Sequence, residues 1–167
     1  MSATRLLGAA LASLALATLP ALGADPPAAK AAPGPANPAV AAARAAAEAA
    51  GIKVVDLVVG KGPVATAGAA VRVNYTGWLD EPTAADGKGK QFDTSVGKDA
   101  FLFTLGRQQV IRGWDLGVAG MQAGGKRRLV IPASAGYGPR GAGGVIPPNA
   151  TLVFDVELID FLPPLGP

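Results

Sequence analysis

The sequence predicts an α+β domain, an antiparallel sheet of about five strands covered by one short helix, in the last two-thirds of a 167-residue chain. Three observations lead there. From Gly51 onward, short alternating or β-branched runs are separated by Gly and Pro. One stretch, Val110 to Met121, instead sets Val110, Trp114, Val118 and Met121 at helical spacing. All nine aromatic residues lie between Tyr75 and Phe161, whereas the first 50 residues hold 22 alanines, six prolines and no aromatic, so the core belongs to the C-terminal part. An antiparallel sheet must bury one face, and this helix is the element at hand to cover it.

Taken in order, residues 1–24 read as a secretory signal peptide. Arg5 and the amino terminus supply the positive start, Leu6 to Leu19 is an uncharged apolar run, and Ala21-Leu22-Gly23 offers small residues for cleavage after Gly23 or Ala24. The run breaks at Pro20 and lacks a basic stop on its far side, so a cleaved leader, with no membrane span in the mature chain, is expected rather than an anchor. Export places the protein in a bacterial periplasm or outside the cell. Residues 25–50 read as an Ala/Pro-rich linker. Within it Val40 to Ala50 is helix-competent, with Arg44 and Glu48 at i and i+4 and Gly51 as a stop. A helix this short is marginal alone, so the segment reads as a frayed spacer, with a dimerising arm as the alternative.

Residues 51–167 form the domain. Val54 to Val59, Val71 to Thr76, a short strand headed by Phe92, Phe101 to Leu105, Arg127 to Ile131 and Thr151 to Ile159 are the strand candidates. The last alternates strictly, with Leu152, Phe154, Val156 and Leu158 against Val153, Asp155 and Glu157.

Composition excludes much chemistry. Without His there is no Ser-His-Asp triad, Cys-His pair or imidazole-bound metal, and without Cys there is no thiolate nucleophile, disulfide or iron–sulfur cluster. No metal site and no cofactor are expected. The net charge of +3 is diffuse, and its densest run, Lys126-Arg127-Arg128, reads as a solvated strand face without the aromatic support of a nucleic-acid site. Tyr75, Phe92, Trp114, Tyr137 and Phe154 concentrate the aromatic supply. They read equally as core or as a concave pocket for a proline ring or similar apolar group. Asp93, beside Phe92, is either a surface aspartate or the carboxylate of that pocket's wall.

At these residues the chain resembles the FKBP-type peptidyl-prolyl cis-trans isomerases. The resemblance is carried by Tyr75-Thr76-Gly77, Phe92-Asp93-Thr94-Ser95, Val110-Ile111-Arg112-Gly113-Trp114-Asp115, Gly117-Val118 with Gly120-Met121, Tyr137-Gly138 and the run from Ile146 to Leu158, in family order. It implies a half-open antiparallel sheet wrapped around one short helix, and rotation of X–Pro bonds in exported polypeptides. It also implies inhibition by macrolides of the tacrolimus type. Trp114 would floor the pocket, with Tyr75, Phe92, Phe101, Val110, Ile111 and Phe154 as walls and Val145 and Ile146 on the flap after Tyr137. The Tyr137 hydroxyl and the Ile111 N–H would hold substrate carbonyls, and Asp93 would sit beside the carbonyl of the rotating bond. Such chemistry needs neither His, Cys nor metal, because no covalent bond is made or cut.

The family also contains members that hold proline-containing or unfolded chains without turnover. The intact set of Tyr75, Phe92, Asp93, Trp114 and Tyr137 favours catalysis over that alternative. Three departures bear on substrate preference and macrolide affinity: a long Asp80–Lys90 loop expected near Phe92, Gln109 where an acid is frequent, and a glycine-rich flap from Pro139 to Gly144.

Overall fold

A computed structural model describes residues 37–164. The expected leader, 1–24, and the first part of the expected linker lie outside the described residues.

As expected, the domain is one antiparallel sheet, built among the described residues from six strands. They are β1 (Lys53–Val58), β2 (Ala70–Asp80), β3 (Lys88–Thr94), β4 (Phe101–Thr104), β5 (Lys126–Ile131) and β6 (Leu152–Leu162). The order is β1-β5-β6-β2-β3, and β4 also pairs with β2. The eleven-residue β2 serves two partners on one edge: Ala70 to Val73 pair with β4, and Thr76 to Asp80 with β3. Its other edge pairs with β6 along its whole length.

The sheet's concave face carries the core. Val71 and Val73 of β2, Leu129 and Ile131 of β5, and Leu152, Phe154, Val156 and Leu158 of β6 are all buried. Each such side chain stabilises the fold by about 1.5–3 kcal/mol relative to exposure. Their alternation with Arg72, Arg128, Asp155 and Glu157 is the period-2 pattern of a sheet with one covered face.

The covering helix, α2 (Arg112–Gly117), is shorter than the 110–121 periodicity suggests. Val118 and Met121 remain buried, but they lie in the turn that follows, which breaks at Gly120 with φ +78°. The helix rests on β5 through glycine. A Cβ at Gly113 would stand 2.4 Å from Ile131 Cγ2, and one at Gly117 2.6 Å from Leu129 Cδ1, so only a side-chain-free face permits this approach.

The alanine segment is neither frayed nor a free spacer. It forms α1 (Pro38–Ala49), opened by the Asn37 side chain accepting from Ala39 N, with Pro38 in the first turn. Ala47 is fully buried in the common core. Alanine docks by close backbone approach and not by large apolar side chains, so its sequence shows no apolar stripe to announce the contact.

The basic run also departs from expectation. Lys126 is exposed, but Arg127 is only 3% exposed, and Arg128 is half-buried against Asp155. On the outer face of the sheet, Asp155 takes Arg128 Nε at 2.7 Å and Nη2 at 3.0 Å, and Lys88 Nζ at 2.9 Å. Burial disfavours the Asp155 carboxylate, but the hydrogen bonds from Arg128 and Lys88 outweigh it and hold its pKa below the ordinary value. Lys88 also stands 4.2 Å over the Trp78 ring. The hairpin of residues 81–87 is tied to this outer face, where Arg128 Nη1 donates to Asp86 O at 3.5 Å. The long loop is therefore anchored on the side of the sheet away from the concave core.

Candidate active site

Trp114, projecting from α2 at 4% exposure, is the centre of an aromatic cluster. Tyr75 meets it edge-on with centroids 4.8 Å apart, Phe154 at 5.3 Å and Phe101 at 6.0 Å, all within 10° of perpendicular. Phe103 closes the set at 5.6 Å, and Phe92 reaches it through Phe154 at 5.5 Å. Edge-to-face packing is the favoured geometry for ring quadrupoles and locks each ring's orientation. Among the described residues the buried Trp114 Nε1–H has no hydrogen-bond partner.

Four strands and a helix supply these rings. Tyr75 comes from β2, Phe92 from β3, Phe101 from β4 and Phe154 from β6. Gly77 lets them converge, since a Cβ there would lie 2.6 Å from Phe154 Cε1 and 2.7 Å from Phe92 Cζ. Phe101 is 40% exposed and stands at the rim. Val110 and Ile111 are half-buried against the core just before α2. Among the described residues, the Ile111 N–H donates to no protein acceptor.

The polar side of the cluster is organised by Asp93. Its Oδ2 accepts from the Tyr75 hydroxyl at 2.6 Å, and its Oδ1 from Thr94 N at 2.8 Å. Burial, then the hydrogen bond to Asp93 and that residue's charge, push the Tyr75 hydroxyl well above its ordinary pKa. Tyr137 is 41% exposed, and burial followed by the Asp93 charge raises its hydroxyl too. Among the described residues nothing hydrogen-bonds the Tyr137 hydroxyl, so this hydroxyl and the Ile111 N–H are two donors without a protein acceptor.

The flap following Tyr137 folds back on itself, with Ala142 bridged to Ile146. Gly141 permits this at φ +62°, where a Cβ would stand 2.2 Å from Ile146 O. Ile146 is buried in the core, while Val145 is exposed.

The sequence reading therefore named residues that do come together: Tyr75, Phe92, Asp93, Phe101, Trp114 and Phe154 form one cluster, with Val110 and Ile111 at its helix. It missed Phe103, although Phe101 and Phe103, two apart on one strand, necessarily share a face. It named Gly77, Gln109 and Asp115 but not their contacts: the close approach of rings at Gly77, and the support behind the loop before α2. There Asp115 accepts from Gly106 N at 2.9 Å and Gln108 N at 3.0 Å, and Gln109 Oε1 accepts from Thr104 N at 2.8 Å.

Comparison with known proteins covers this same region. The profile of the FKBP-type peptidyl-prolyl cis-trans isomerase family matches residues 62–159. An FK506-binding protein of Neisseria meningitidis serogroup A is 51% identical over 105 residues, which cover 62% of this chain and 90% of that one. FK506-binding protein 1 of Gibberella zeae is 49% identical over 108 residues, 65% of this chain and 96% of the relative. The crystal structure of AtFKBP13 superposes with a TM-score of 0.58 at 38% identity, covering 67% of this chain and 94% of that one. The matched span contains every strand from β2 to β5, most of β6, α2 and the flap, and on that basis the chain belongs to the FKBP-type peptidyl-prolyl cis-trans isomerases.

Proposed function

We propose that the chain accelerates X–Pro rotation in exported polypeptides by seating the proline ring over Trp114, between Tyr75, Phe92, Phe101, Val110 and Phe154. The observation that carries this reading is the aromatic cluster around Trp114, with the Asp93 carboxylate oriented at its polar side and the Tyr137 hydroxyl and Ile111 N–H left without protein acceptors. Rotation must break amide resonance against a barrier of ~18–20 kcal/mol, and uncatalysed it takes roughly tens to hundreds of seconds. An apolar hollow disfavours the polar planar amide relative to the twisted, less polar one. The Ile111 N–H and the Tyr137 hydroxyl hold the flanking carbonyls, and donors aimed at the twisted geometry add differential stabilisation. Asp93 fixes the Tyr75 edge of the hollow and faces the carbonyl of the rotating bond. About 5 kcal/mol of such stabilisation gives on the order of a 10⁴-fold acceleration. Val145 and Ile146 place the flap against the bound chain.

The test is the relaxation of a short X–Pro peptide with and without tacrolimus. Rapid turnover blocked by the macrolide supports the reading. Macrolide binding without turnover replaces it with a proline-peptide binding module.

Export and the domain division belong to the same proposal and rest on the sequence: a leader at 1–24, then a linker whose expected span, 25–50, ends in the docked helix α1, and the isomerase domain at 51–167. Among the described residues no helix is long and apolar enough to cross a membrane. A mature amino terminus at Ala24 or Asp25, found by mass spectrometry of protein recovered from outside the cytoplasm, supports cleavage. An intact Met1 there rules it out.

A further inference from the structure

The buried Arg127 has no part in the pocket, yet its guanidinium joins two elements. Nε donates to Asp56 Oδ1 at 2.6 Å, and Nη1 donates to Gly117 O at 2.9 Å and Ala119 O at 3.2 Å. Those carbonyls form the C-terminal end of α2, where a cation is favoured. On the far side of the same carboxylate, Asp56 Oδ2 accepts from Arg44 Nη1 at 3.4 Å, and Arg44 Nη2 donates to Val54 O at 2.8 Å. Arg44 belongs to α1. That helix also meets the end of α2 directly, since a Cβ at Gly120 would stand 2.8 Å from Ala43 Cβ and 3.3 Å from Val40 Cα. α1 lies wholly ahead of residues 62–159, the span shared with the family.

We propose that α1 is a positioning element of the isomerase site: Arg44, acting through Asp56 and Arg127, fixes the C-terminal end of α2 and thereby the seat of Trp114. This rests on the reading of the Trp114 hollow as the substrate site. The helix needs outside support. It is six residues long, too short to hold its own geometry, and its glycine face against β5 offers no side chains to lock its rotation. Asp115 ties its N-terminal side to the preceding loop, and Arg127 ties the other end. A small shift of α2 displaces the Trp114 floor, and misplacement of this order costs turnover.

Replacing Arg127 would leave buried partners unpaired and endanger the fold. Arg44 is 44% exposed and is the cleaner lever. The control is Arg72→Ala, which removes an exposed ion pair with Asp160 away from α2. The chain has two tryptophans, Trp114 in the hollow and Trp78 under Lys88 on the other face, so their indole N–H resonances report the two sides of the sheet separately. In the full chain, Arg44→Ala is expected to move the Trp114 resonance, leave that of Trp78 in place and lower kcat/KM about three- to tenfold. Arg72→Ala should do none of this. An Arg44→Ala protein with unmoved Trp114 and undiminished turnover overturns the proposal, as does an equal loss in Arg72→Ala. Unaltered protein without turnover sinks the proline-pocket reading instead, and the Trp114 resonance then decides the positioning alone.

Discussion

The Tyr75 hydroxyl and the Asp93 carboxylate meet at 2.6 Å between neighbouring strands β2 and β3, and the second Asp93 oxygen is held by Thr94 N. Both oxygens are thus committed, which fixes the carboxylate's direction and one edge of the hollow. Tyr75→Phe is expected to lower kcat/KM roughly 5- to 30-fold, the worth of about 1–2 kcal/mol of lost hydrogen bonding to a charge. Asp93→Ala should lose at least as much. Asp93 is exposed, so its removal should leave the melting temperature nearly unchanged. Peptide relaxation rates beside thermal melts check both, and full turnover in Asp93→Ala would remove the carboxylate from the mechanism.

Gly77 is where two pocket rings touch the backbone of β2. Gly77→Ala should force Phe92 and Phe154 apart, weakening macrolide binding and turnover together. The overpacking costs about 1–3 kcal/mol and should lower the melting temperature by about 5–10 °C. Calorimetric titration with tacrolimus against a thermal melt separates the two effects.

Turnover should be flat between about pH 6 and 9. No side chain in the chain has an ordinary pKa in that window, because His and Cys are absent. Tyr75 and Tyr137 both titrate above the ordinary tyrosine value, so their hydroxyls remain donors throughout. A bell-shaped kcat/KM profile would contradict this account.

Asp155 sets an acid limit on stability. Its folded pKa is depressed, so its contribution is complete above the unfolded carboxylate value of about 4 and is lost as pH falls through the lower folded value. Asp155→Asn should cost about 2 kcal/mol near neutrality, because Arg128 and Lys88 lose their partner, and much less at pH 2. Urea unfolding at the two pH values measures the difference, and an equal loss at both would show that the charge is not what matters.

The strands and the aromatic cluster were legible because both leave a local signature. Strict alternation marks β6, and the pocket residues sit in short strings beside Gly and Asp. What stayed hidden depends on partners far along the chain. The docking of α1 uses Ala43 and Ala47, whose neighbours resemble them in every property a sequence displays. The burial of Arg127 follows from Asp56, 71 positions earlier, and from carbonyls that any residue would supply. The long loop reads as a neighbour of Phe92, but it is anchored through Arg128 and Lys88 to the outer face, a choice made by Asp155 on a strand not yet formed in any local reading. The shortened α2 follows the same logic: its periodicity continues past Gly117 because the turn stays buried, not because the helix does.

The position of β6 has a consequence for how the chain comes to be folded. The last strand among the described residues lies at the middle of the sheet, between β5 and β2. Without Leu152–Leu162 the sheet falls into two pieces, β1 with β5 and β2 with β3 and β4, and neither can close the hollow. While the chain is being synthesised, the Trp114 site therefore cannot assemble until residues 152–162 are available. Closure then joins segments some 80 residues apart, such as Tyr75 with Val156, the kind of long-range pairing that makes β-rich chains slow to fold. The sheet of this isomerase thus closes only once β6 is in place.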